Sequence, residues 1–201
     1  ILMIGPTGVG KTETVRTLAR ALYGDADAFC RIDMNTLAQE HYAAALTGAP
    51  PGYVGSKEGT TILDQEKIEG TRNLPGLVLF DELEKASNEV VLALMNVFDN
   101  GLLTVASGEK TYSFRNALVF MSSNLGAREL MALDERGGGI LRRLRSFGKS
   151  RRAQAHDIVM KCLLERFPPE LVNRIDHVDT FNWISRDKVP ALVDVELTRL
   201  N

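Results

Sequence analysis

The sequence has little of what marks secreted, metal-binding or membrane-spanning proteins. It contains only two cysteines, Cys30 and Cys162, which lie far apart with no CxxC spacing and no histidine at ligand spacing. Their scarcity argues against a disulfide framework and a zinc site, and it favours a reducing cytoplasm. No apolar run approaches the roughly 20 residues that a membrane-spanning helix needs, so we expect no membrane partner.

An excess of positive charge is also missing. The 24 lysines and arginines are matched by 26 aspartates and glutamates, which gives a net charge of -2. This balance does not favour nucleic acid or an anionic membrane surface as the partner. The chain also lacks an initiator methionine and begins within an apolar run. We therefore expect it to be a fragment of a longer protein.

What the sequence does have is an ordinary globular composition, with 44% hydrophobic and 25% charged residues. Its 201 residues suit one main domain with a small appendage. Five short apolar runs alternate with longer segments of helical period, which is typical of a parallel sheet covered by helices on both faces. The predicted strands are residues 1–4, 31–34, 77–80, 117–121 and 178–181.

Local signals predict a helix and a hairpin in the middle of the chain. Ser87 is a predicted N-cap for a helix with one apolar stripe that ends at Gly101. Residues 103–105 and 111–114 flank a Ser-Gly pair, as the two strands of a β-hairpin do.

Two later segments depart from this order. Residues 128–155 contain three consecutive glycines and are predicted to form a mobile insertion. Its basic cluster is either a solvated surface or a contact for an acidic partner. Residues 185–200 begin like a capped helix that opens a further helical subdomain. The basic cluster consists of Arg142, Arg143, Arg145, Lys149, Arg151 and Arg152.

The strongest motif is GPTGVGKT at residues 5–12, which satisfies the pattern GxxxxGK[ST]. It follows an apolar strand and opens a helix, the context in which this loop binds a nucleoside triphosphate. Its glycines let backbone N–H groups face phosphate oxygens, Lys11 reaches the outer phosphates, and Thr12 ligates Mg²⁺. We therefore predict ATP and Mg²⁺ as ligands, with the nucleotide bound by Gly5, Pro6, Thr7, Gly8, Val9, Gly10, Lys11 and Thr12.

A second motif, LVLFDE, places Asp81 and Glu82 at the carboxyl end of a predicted strand. The carboxyl ends of parallel strands form the ligand crevice of α/β sheets. Adjacent acids at a strand end are often only a solvated turn. Together with the loop, they predict Asp81 as a Mg²⁺ ligand, directly or through water, and Glu82 as the group that polarises the attacking water. The pair therefore predicts hydrolysis in addition to binding.

With these motifs in place, the chain resembles the second ATPase module of the Clp/heat-shock AAA+ unfoldases, the ClpA, ClpB and ClpV group. The resemblance implies an α/β P-loop NTPase fold of the AAA+ type. A five-stranded parallel sheet between helices would occupy residues 1–182, and the start of a truncated helical lid would occupy residues 183–201. The resemblance rests on seven ordered segments: GPTGVGKT at 5–12, RIDM at 31–34, GAPPGYVG at 48–55, LFDELEKA at 79–86, SFRN at 113–116, SSNLG at 122–126 and PPELVNRID at 168–176.

The resemblance also implies roles for two polar residues. Asn124 resembles the sensor, whose amide holds the attacking water or a γ-phosphate oxygen, although an isolated asparagine at a strand end is more often a cap or turn. Arg174 resembles the arginine finger, which reaches the ATP of the neighbouring subunit. Its plain alternative is an ion pair with Asp176 or Glu170. These two residues, the loop lysine and the strand-end glutamate form the predicted catalytic set.

A third implied feature is the substrate pore loop, which Gly52, Tyr53, Val54 and Gly55 match. The resemblance implies that Tyr53 and Val54 project into a central channel and grip a translocating polypeptide through sequence-tolerant contacts. Without the family, such a segment is more often a turn with one packed aromatic residue. The predicted hairpin would supply a second channel loop.

The implied function is that of a Mg²⁺-dependent ATPase whose ring, expected to be a hexamer, threads unfolded or aggregated polypeptides through its pore. Adaptor proteins are further expected partners. One alternative is a ring that disassembles a bacterial secretion sheath, since GKTET and ALYG resemble that branch. Two others are a DNA-directed AAA+ motor that uses the basic cluster, and a non-hydrolysing ATP-dependent scaffold.

The sequence also departs from the family in three places. Ser113 stands where the family has an acid, residues 128–155 are longer and more basic, and the rest of the lid with its second sensing arginine is absent. We therefore expect weak or no ATPase activity from this chain on its own.

Overall fold

A parallel sheet of short strands forms the centre of the domain. The computed structural model describes residues 1–38, 63–104, 110–136, 151–184 and 186–200. The strands are β1 (Leu2–Ile4), β2 (Cys30–Asp33), β3 (Gly76–Asp81), β4 (Leu102–Thr104), β5 (Thr111–Ser113), β6 (Ala117–Ser123) and β7 (Val178–Thr180). Five of them pair in parallel in the order β2-β3-β6-β1-β7, which confirms the predicted sheet.

Helices connect these strands and cover the sheet. Short 3₁₀ turns lie at Thr36–Ala38, Leu83–Lys85 and Arg186–Lys188. The α-helices are α1 (Lys11–Tyr23), α2 (Gln65–Glu69), α3 (Asn88–Asn100), α4 (Ala127–Arg136), α5 (Arg151–Arg166), α6 (Pro169–Val172) and α7 (Val189–Leu200). Within the described part of the chain, every helix is too short or too polar to cross a bilayer.

Strand β3 lies inside the sheet and has a hydrophobic core on each face. All six of its residues are buried. Leu77 and Leu79 belong to a cluster that includes residues of α1, whereas Val78 and Phe80 belong to a cluster that includes residues of α3. This two-sided burial, at about 1.5–3 kcal/mol for each large side chain, explains why the run is apolar without alternation.

Helix α3 begins and ends where the sequence predicts. The hydroxyl of Ser87 accepts a hydrogen bond from the N–H of Val90 at 3.4 Å, as an N-cap does. Gly101 caps the other end with a φ of 66° and donates its N–H to Val97 at 2.8 Å. The predicted apolar stripe is buried at Val90, Val91 and Leu94.

The hairpin strands are also confirmed. β4 and β5 pair antiparallel, with Leu103 opposite Tyr112. The tip, residues 105–109, lies outside the described residues. Its role as a second channel loop therefore stays a prediction.

The range 128–155 is more ordered at its ends than the sequence predicts. Helix α4 reaches Arg136, and helix α5 starts at Arg151. Residues 137–150 lie outside the described residues, so the mobility of the insertion stays a prediction. Near the end of the chain, α7 begins at Val189 rather than at residue 185, and its role as the start of a lid also stays a prediction.

The register of the central strands brings three strand ends to one edge of the sheet. Ile4 on β1 pairs with Ser123 on β6, and Phe80 on β3 pairs with Met121 on β6. The loop after β1 and the polar residues at the ends of β3 and β6 therefore meet at the carboxyl edge, where α/β sheets bind their ligands.

Candidate nucleotide-binding site

The loop after β1 takes a path that only its glycines allow. Gly8 and Gly10 have φ values of 80° and 97°, in the left-handed region that side chains disfavour. A Cβ added at either position would meet nothing within 4 Å, so conformation and not space requires these glycines. Gly5 differs, because its Cβ would collide with the backbone carbonyl of Phe181, the residue after β7.

Gly5→Ala is expected to destabilise the domain by about 3 kcal/mol, because the added methyl group overlaps backbone that cannot swing away. That backbone is fixed, since the N–H of Phe181 donates to Ile4 at 2.6 Å. Thermal unfolding followed by circular dichroism measures the loss. The matched control is Gly24→Ala, which adds a methyl group at a φ of 77° with nothing within 4 Å; its cost is backbone strain alone, about 1 kcal/mol. Equal losses in the two variants would contradict the steric explanation.

Lys11 is enclosed at the start of α1, with 8% of its surface exposed. Its ammonium donates to the carbonyl oxygens of Gly5 at 2.6 Å and Pro6 at 2.8 Å, and to Oδ1 of Asn124 at 2.9 Å. Burial lowers the pKa of Lys11, and nearby carboxylates, chiefly that of Glu84, oppose the shift. The structure therefore places the predicted lysine in direct contact with the predicted sensor.

The first turn of α1 leaves backbone donors for a ligand. Its N-cap is Gly10, which has no side chain that could accept a hydrogen bond from the N–H groups of this turn. The N–H of Thr14 donates to Gly10 at 2.9 Å, so the earlier N–H groups of this turn have no helical acceptor. They lie at the positive end of the helix dipole, an arrangement that suits a bound anion. Thr12 is half-buried in this same turn.

Asp81 ends β3 with its carboxylate held from two sides. Arg31 on β2 donates to Oδ2 from Nε at 2.9 Å and from Nη2 at 2.6 Å. Ser122 on β6 donates to Oδ1. Oδ1 accepts this one hydrogen bond and keeps a second lone pair, so this fixed and nearly buried carboxylate fits a cation bound directly or through water.

Glu82 follows with an unusual backbone. Its φ of 57° and ψ of 52° make it the one non-glycine residue with positive φ in the described ranges. Its N–H donates to the hydroxyl of Ser122 at 3.0 Å. Strain of this kind costs of order 1 kcal/mol and clusters at functional sites. The strand therefore ends abruptly at Asp81, and Glu82 opens the 3₁₀ turn at Leu83–Lys85.

Asn124 follows β6 and has hydrogen bonds at both ends of its amide. Its Nδ2 donates to Oε1 of Glu84 at 3.1 Å, and its backbone N–H donates to the same oxygen at 3.2 Å. Its Oδ1 accepts from Lys11 and, at 3.5 Å, from the hydroxyl of Thr7. The structure thus joins the predicted sensor to the loop on one side and to an acid that the sequence did not predict on the other.

Arg174, the predicted arginine finger, has a different partner from those considered in the sequence. Its Nη1 forms an ion pair with Oδ1 of Asp99, near the end of α3. Pairs with Asp176 or Glu170 are not found within the described residues. The Arg174 side chain is 40% exposed, so it lies at the surface and is held there by the ion pair with Asp99.

The predicted pore loop is the segment of residues 52–55. Gly52, Tyr53, Val54 and Gly55 lie outside the described residues. Their role stays a prediction from the sequence.

Sequence reasoning missed four residues that contact the predicted site residues: Arg31, Glu84, Asp99 and Ser122. One could have been found, because Ser122 lies two residues before Asn124 and side chains two apart share a strand face. The Arg31–Asp81 pair requires the strand order, and the Glu84–Asn124 contact requires the shape of a 3₁₀ turn.

The fold and the site together define a class of protein. A glycine-rich loop follows β1, the first of two adjacent acids ends β3, and a polar residue follows β6, which lies between those strands. This is the arrangement of P-loop ATPases. The chain belongs to the AAA domain family, Cdc48 subfamily, whose model matches residues 1–178.

Known proteins narrow this class to Clp/Hsp100 relatives, as predicted. The chain is 65% identical to the ATP-dependent protease ATP-binding subunit-like protein AmiB of Pseudomonas aeruginosa, over 100% of this chain and 54% of that protein. It is 41% identical to chaperone protein ClpB of Rhizobium meliloti, over 99% of this chain and 21% of that protein. The chain therefore spans about half of the length of the first relative and about a fifth of the length of the second.

A solved structure confirms the fold. Saccharomyces cerevisiae Hsp104, in the extended conformation of its casein complex, matches with a TM-score of 0.76 and 30% identity. The match covers 99% of this chain and 31% of that one. The prediction of a five-stranded AAA+ sheet is therefore confirmed.

Proposed function

We propose that this chain is the ATP-hydrolysing motor domain of a ring-forming unfoldase or disaggregase that threads polypeptides through a central pore. The observation that carries the proposal is the meeting of Lys11, Asp81, Glu82 and Asn124 at one edge of the sheet. The Clp/Hsp100 relatives support it, since ClpB is a chaperone and the other relative is described as an ATP-binding subunit-like protein.

The residues present fit ATP with Mg²⁺. The uncapped first turn of α1 supplies N–H donors for phosphate oxygens, and Lys11 exchanges the loop carbonyls for the outer phosphates. Mg²⁺ keeps most of its water and phosphate ligands in such sites, so the hydroxyl of Thr12 and an oxygen of Asp81 are sufficient protein ligands. When bound, Mg²⁺ neutralises charge on the phosphate oxygens.

The position of Arg174 favours action on a neighbouring subunit. Helix α3 starts just after the turn at Leu83–Lys85, and Asp99 lies about 16 Å further along its axis at 1.5 Å per residue. The ion pair with Asp99 holds Arg174 at this far end. In a ring of identical subunits, expected to be a hexamer, the exposed guanidinium would complete the ATP site of the adjacent copy.

The polypeptide substrate is inferred from the GYVG segment and from relatives. The Hsp104 structure is described as a casein complex. Tyr53 and Val54 of this chain would grip unfolded or aggregated clients, which adaptor proteins would deliver in the cytoplasm. ATP binding closes the subunit interface, hydrolysis releases it, and Tyr53 moves with its domain.

Tyr53→Ala is expected to slow ATP-dependent threading of a tagged unfolded client by at least about tenfold, because the grip loses its aromatic face. The measurement uses the full-length protein and follows client unfolding beside phosphate release. Tyr53→Phe is the matched control; it keeps the ring and is expected to thread near the parent rate. Threading at full rate by Tyr53→Ala would refute the pore loop.

The same assays distinguish the alternative functions. Action on a single sheath assembly, with no general client unfolded, would indicate the secretion-sheath ATPase. Salt-sensitive DNA binding would indicate the DNA-directed motor. ATP binding without phosphate release would indicate the scaffold.

A further inference from the structure

Glu84 lies two residues beyond the strand-end acids and has no part in the function proposed above. It belongs to the 3₁₀ turn after β3 and is half-buried. Its Oε1 accepts two hydrogen bonds, both from Asn124. Its Oε2 is buried without a hydrogen-bond partner within the described residues. The carboxylate of Glu84 is thus directed at Asn124.

The turn that carries Glu84 is itself held in place. Arg166, at the end of α5, donates from Nε to the carbonyl of Glu84 at 3.0 Å and from Nη2 to the carbonyl of Ala86 at 2.6 Å. Within the turn, the N–H of Lys85 donates to the carbonyl of Glu82 at 2.9 Å. The side chain of Glu84 therefore reaches Asn124 from a fixed point of the backbone.

These contacts determine which end of the Asn124 amide faces the glycine-rich loop. An ionised carboxylate only accepts hydrogen bonds, and an ammonium only donates them. Nδ2 of Asn124 must therefore face Glu84, and Oδ1 must face Lys11, 2.9 Å away. If the amide were reversed, its N–H donors would face the ammonium and its oxygen would face the carboxylate.

We propose that Glu84 is a positioning residue, which holds Asn124 with its carbonyl oxygen towards the phosphates so that Asn124 accepts a hydrogen bond from the attacking water. This inference rests on the proposed function and selects one of the two roles that the sequence left open for Asn124, water or γ-phosphate. Lys11 shares that oxygen in the present conformation. When Lys11 moves to the phosphates, the lone pair that it occupied becomes available to the water.

A cycle of two isosteric replacements in the full-length protein tests the proposal. Asn124→Asp places a second carboxylate against that of Glu84, and the two oxygens repel each other. Adding Glu84→Gln supplies an amide that donates to the new carboxylate while its own oxygen still accepts from the backbone N–H of residue 124. The swap therefore restores the pairing and keeps an oxygen facing the loop.

The expected result is that Glu84→Gln/Asn124→Asp hydrolyses ATP about tenfold faster than Asn124→Asp alone in single-turnover assays. Affinity for a fluorescent ATP analogue should change less than the rate, because the pair acts on water and not on nucleotide binding. Losses that simply multiply in the double variant would overturn the proposal, and so would an Asn124→Asp variant as fast as the parent protein. Glu89→Gln, at an exposed position in the first turn of α3, is the matched charge control.

Two further measurements keep the result decisive. If Asn124→Asp does not fold by circular dichroism, Glu84→Asp is compared with Glu84→Gln. The shorter acid no longer reaches Asn124 and should be the slower of the two, and the reverse order would overturn the proposal. Glu82→Gln distinguishes failure of the proposed function from failure of the role of Glu84. If Glu82→Gln hydrolyses ATP at the parent rate, the proposed catalytic site is wrong. If Glu82→Gln is inactive and the cycle shows no coupling between Glu84 and Asn124, only the role of Glu84 is wrong.

Discussion

Glu82→Gln is expected to bind ATP and to release phosphate about 10²–10⁴-fold more slowly than the parent protein, because an amide cannot take a proton from water. The replacement keeps the size of the side chain at a position whose φ of 57° few residues tolerate. It leaves Lys11, Thr12 and the loop glycines unchanged, so affinity should stay within about threefold. Steady-state phosphate release and titration with a fluorescent ATP analogue measure the two effects separately.

The control for Glu82→Gln is again Glu89→Gln, which removes an exposed carboxylate and should hydrolyse at the parent rate. Turnover by Glu82→Gln at the parent rate would contradict the role of Glu82 as the base. Loss of nucleotide binding in this variant would also contradict the role of Glu82 as the base. It would indicate instead that the Glu82 carboxylate supports binding through its electrostatic effect on Lys11.

Much of the fold could be predicted because its signals are local. The strand β3 is a continuous apolar run, and the caps of α3 are a serine and a glycine at its two ends. The phosphate-binding role of residues 5–12 can be predicted without knowledge of the fold, because the spacing of the glycines and the lysine along the chain is itself the motif. Local patterns of this kind specify which elements exist and which polar residues come directly after each strand.

Contacts between residues distant in sequence could not be predicted in the same way. Arg31 reaches Asp81 because β2 and β3 are neighbours in the sheet, and no spacing in the sequence shows this pairing. Glu84 reaches Asn124 only because the chain turns sharply at Glu82. These contacts require strand order and turn geometry.

The range 128–155 shows a related difficulty. Its glycines predict an insertion, yet helix α5 extends across residues 151–155. That helix is held by tertiary packing, since Val159 and Leu163 are almost fully buried and Leu130 of α4 packs against the same core. Most helical stability in proteins comes from such packing and not from local propensity.

Arg174→Ala is expected to reduce ATP turnover of the assembled full-length protein by at least about 10³-fold, the usual contribution of an arginine finger. Nucleotide binding should be retained, because Arg174 forms its ion pair with Asp99. Within the described part of its own chain, Arg174 makes no contact with the glycine-rich loop. Arg16→Ala is the matched control; Arg16 has a side chain 42% exposed and an ion pair with Asp27, and its removal should leave turnover near the parent rate.

Mixed assemblies then distinguish action within a subunit from action between subunits. Arg174→Ala subunits keep Lys11 but lack the finger, whereas Lys11→Ala subunits cannot hold ATP but keep Arg174. If the finger acts on the neighbour, equal co-expression of the two inactive variants creates sites with an intact lysine from one copy and an intact arginine from the next. With random placement in a head-to-tail ring, about a quarter of the sites are complete, so phosphate release should recover to about a quarter of the parent rate. No recovery in assembled rings would contradict action between subunits, because a finger acting within its own chain is intact only where ATP cannot bind.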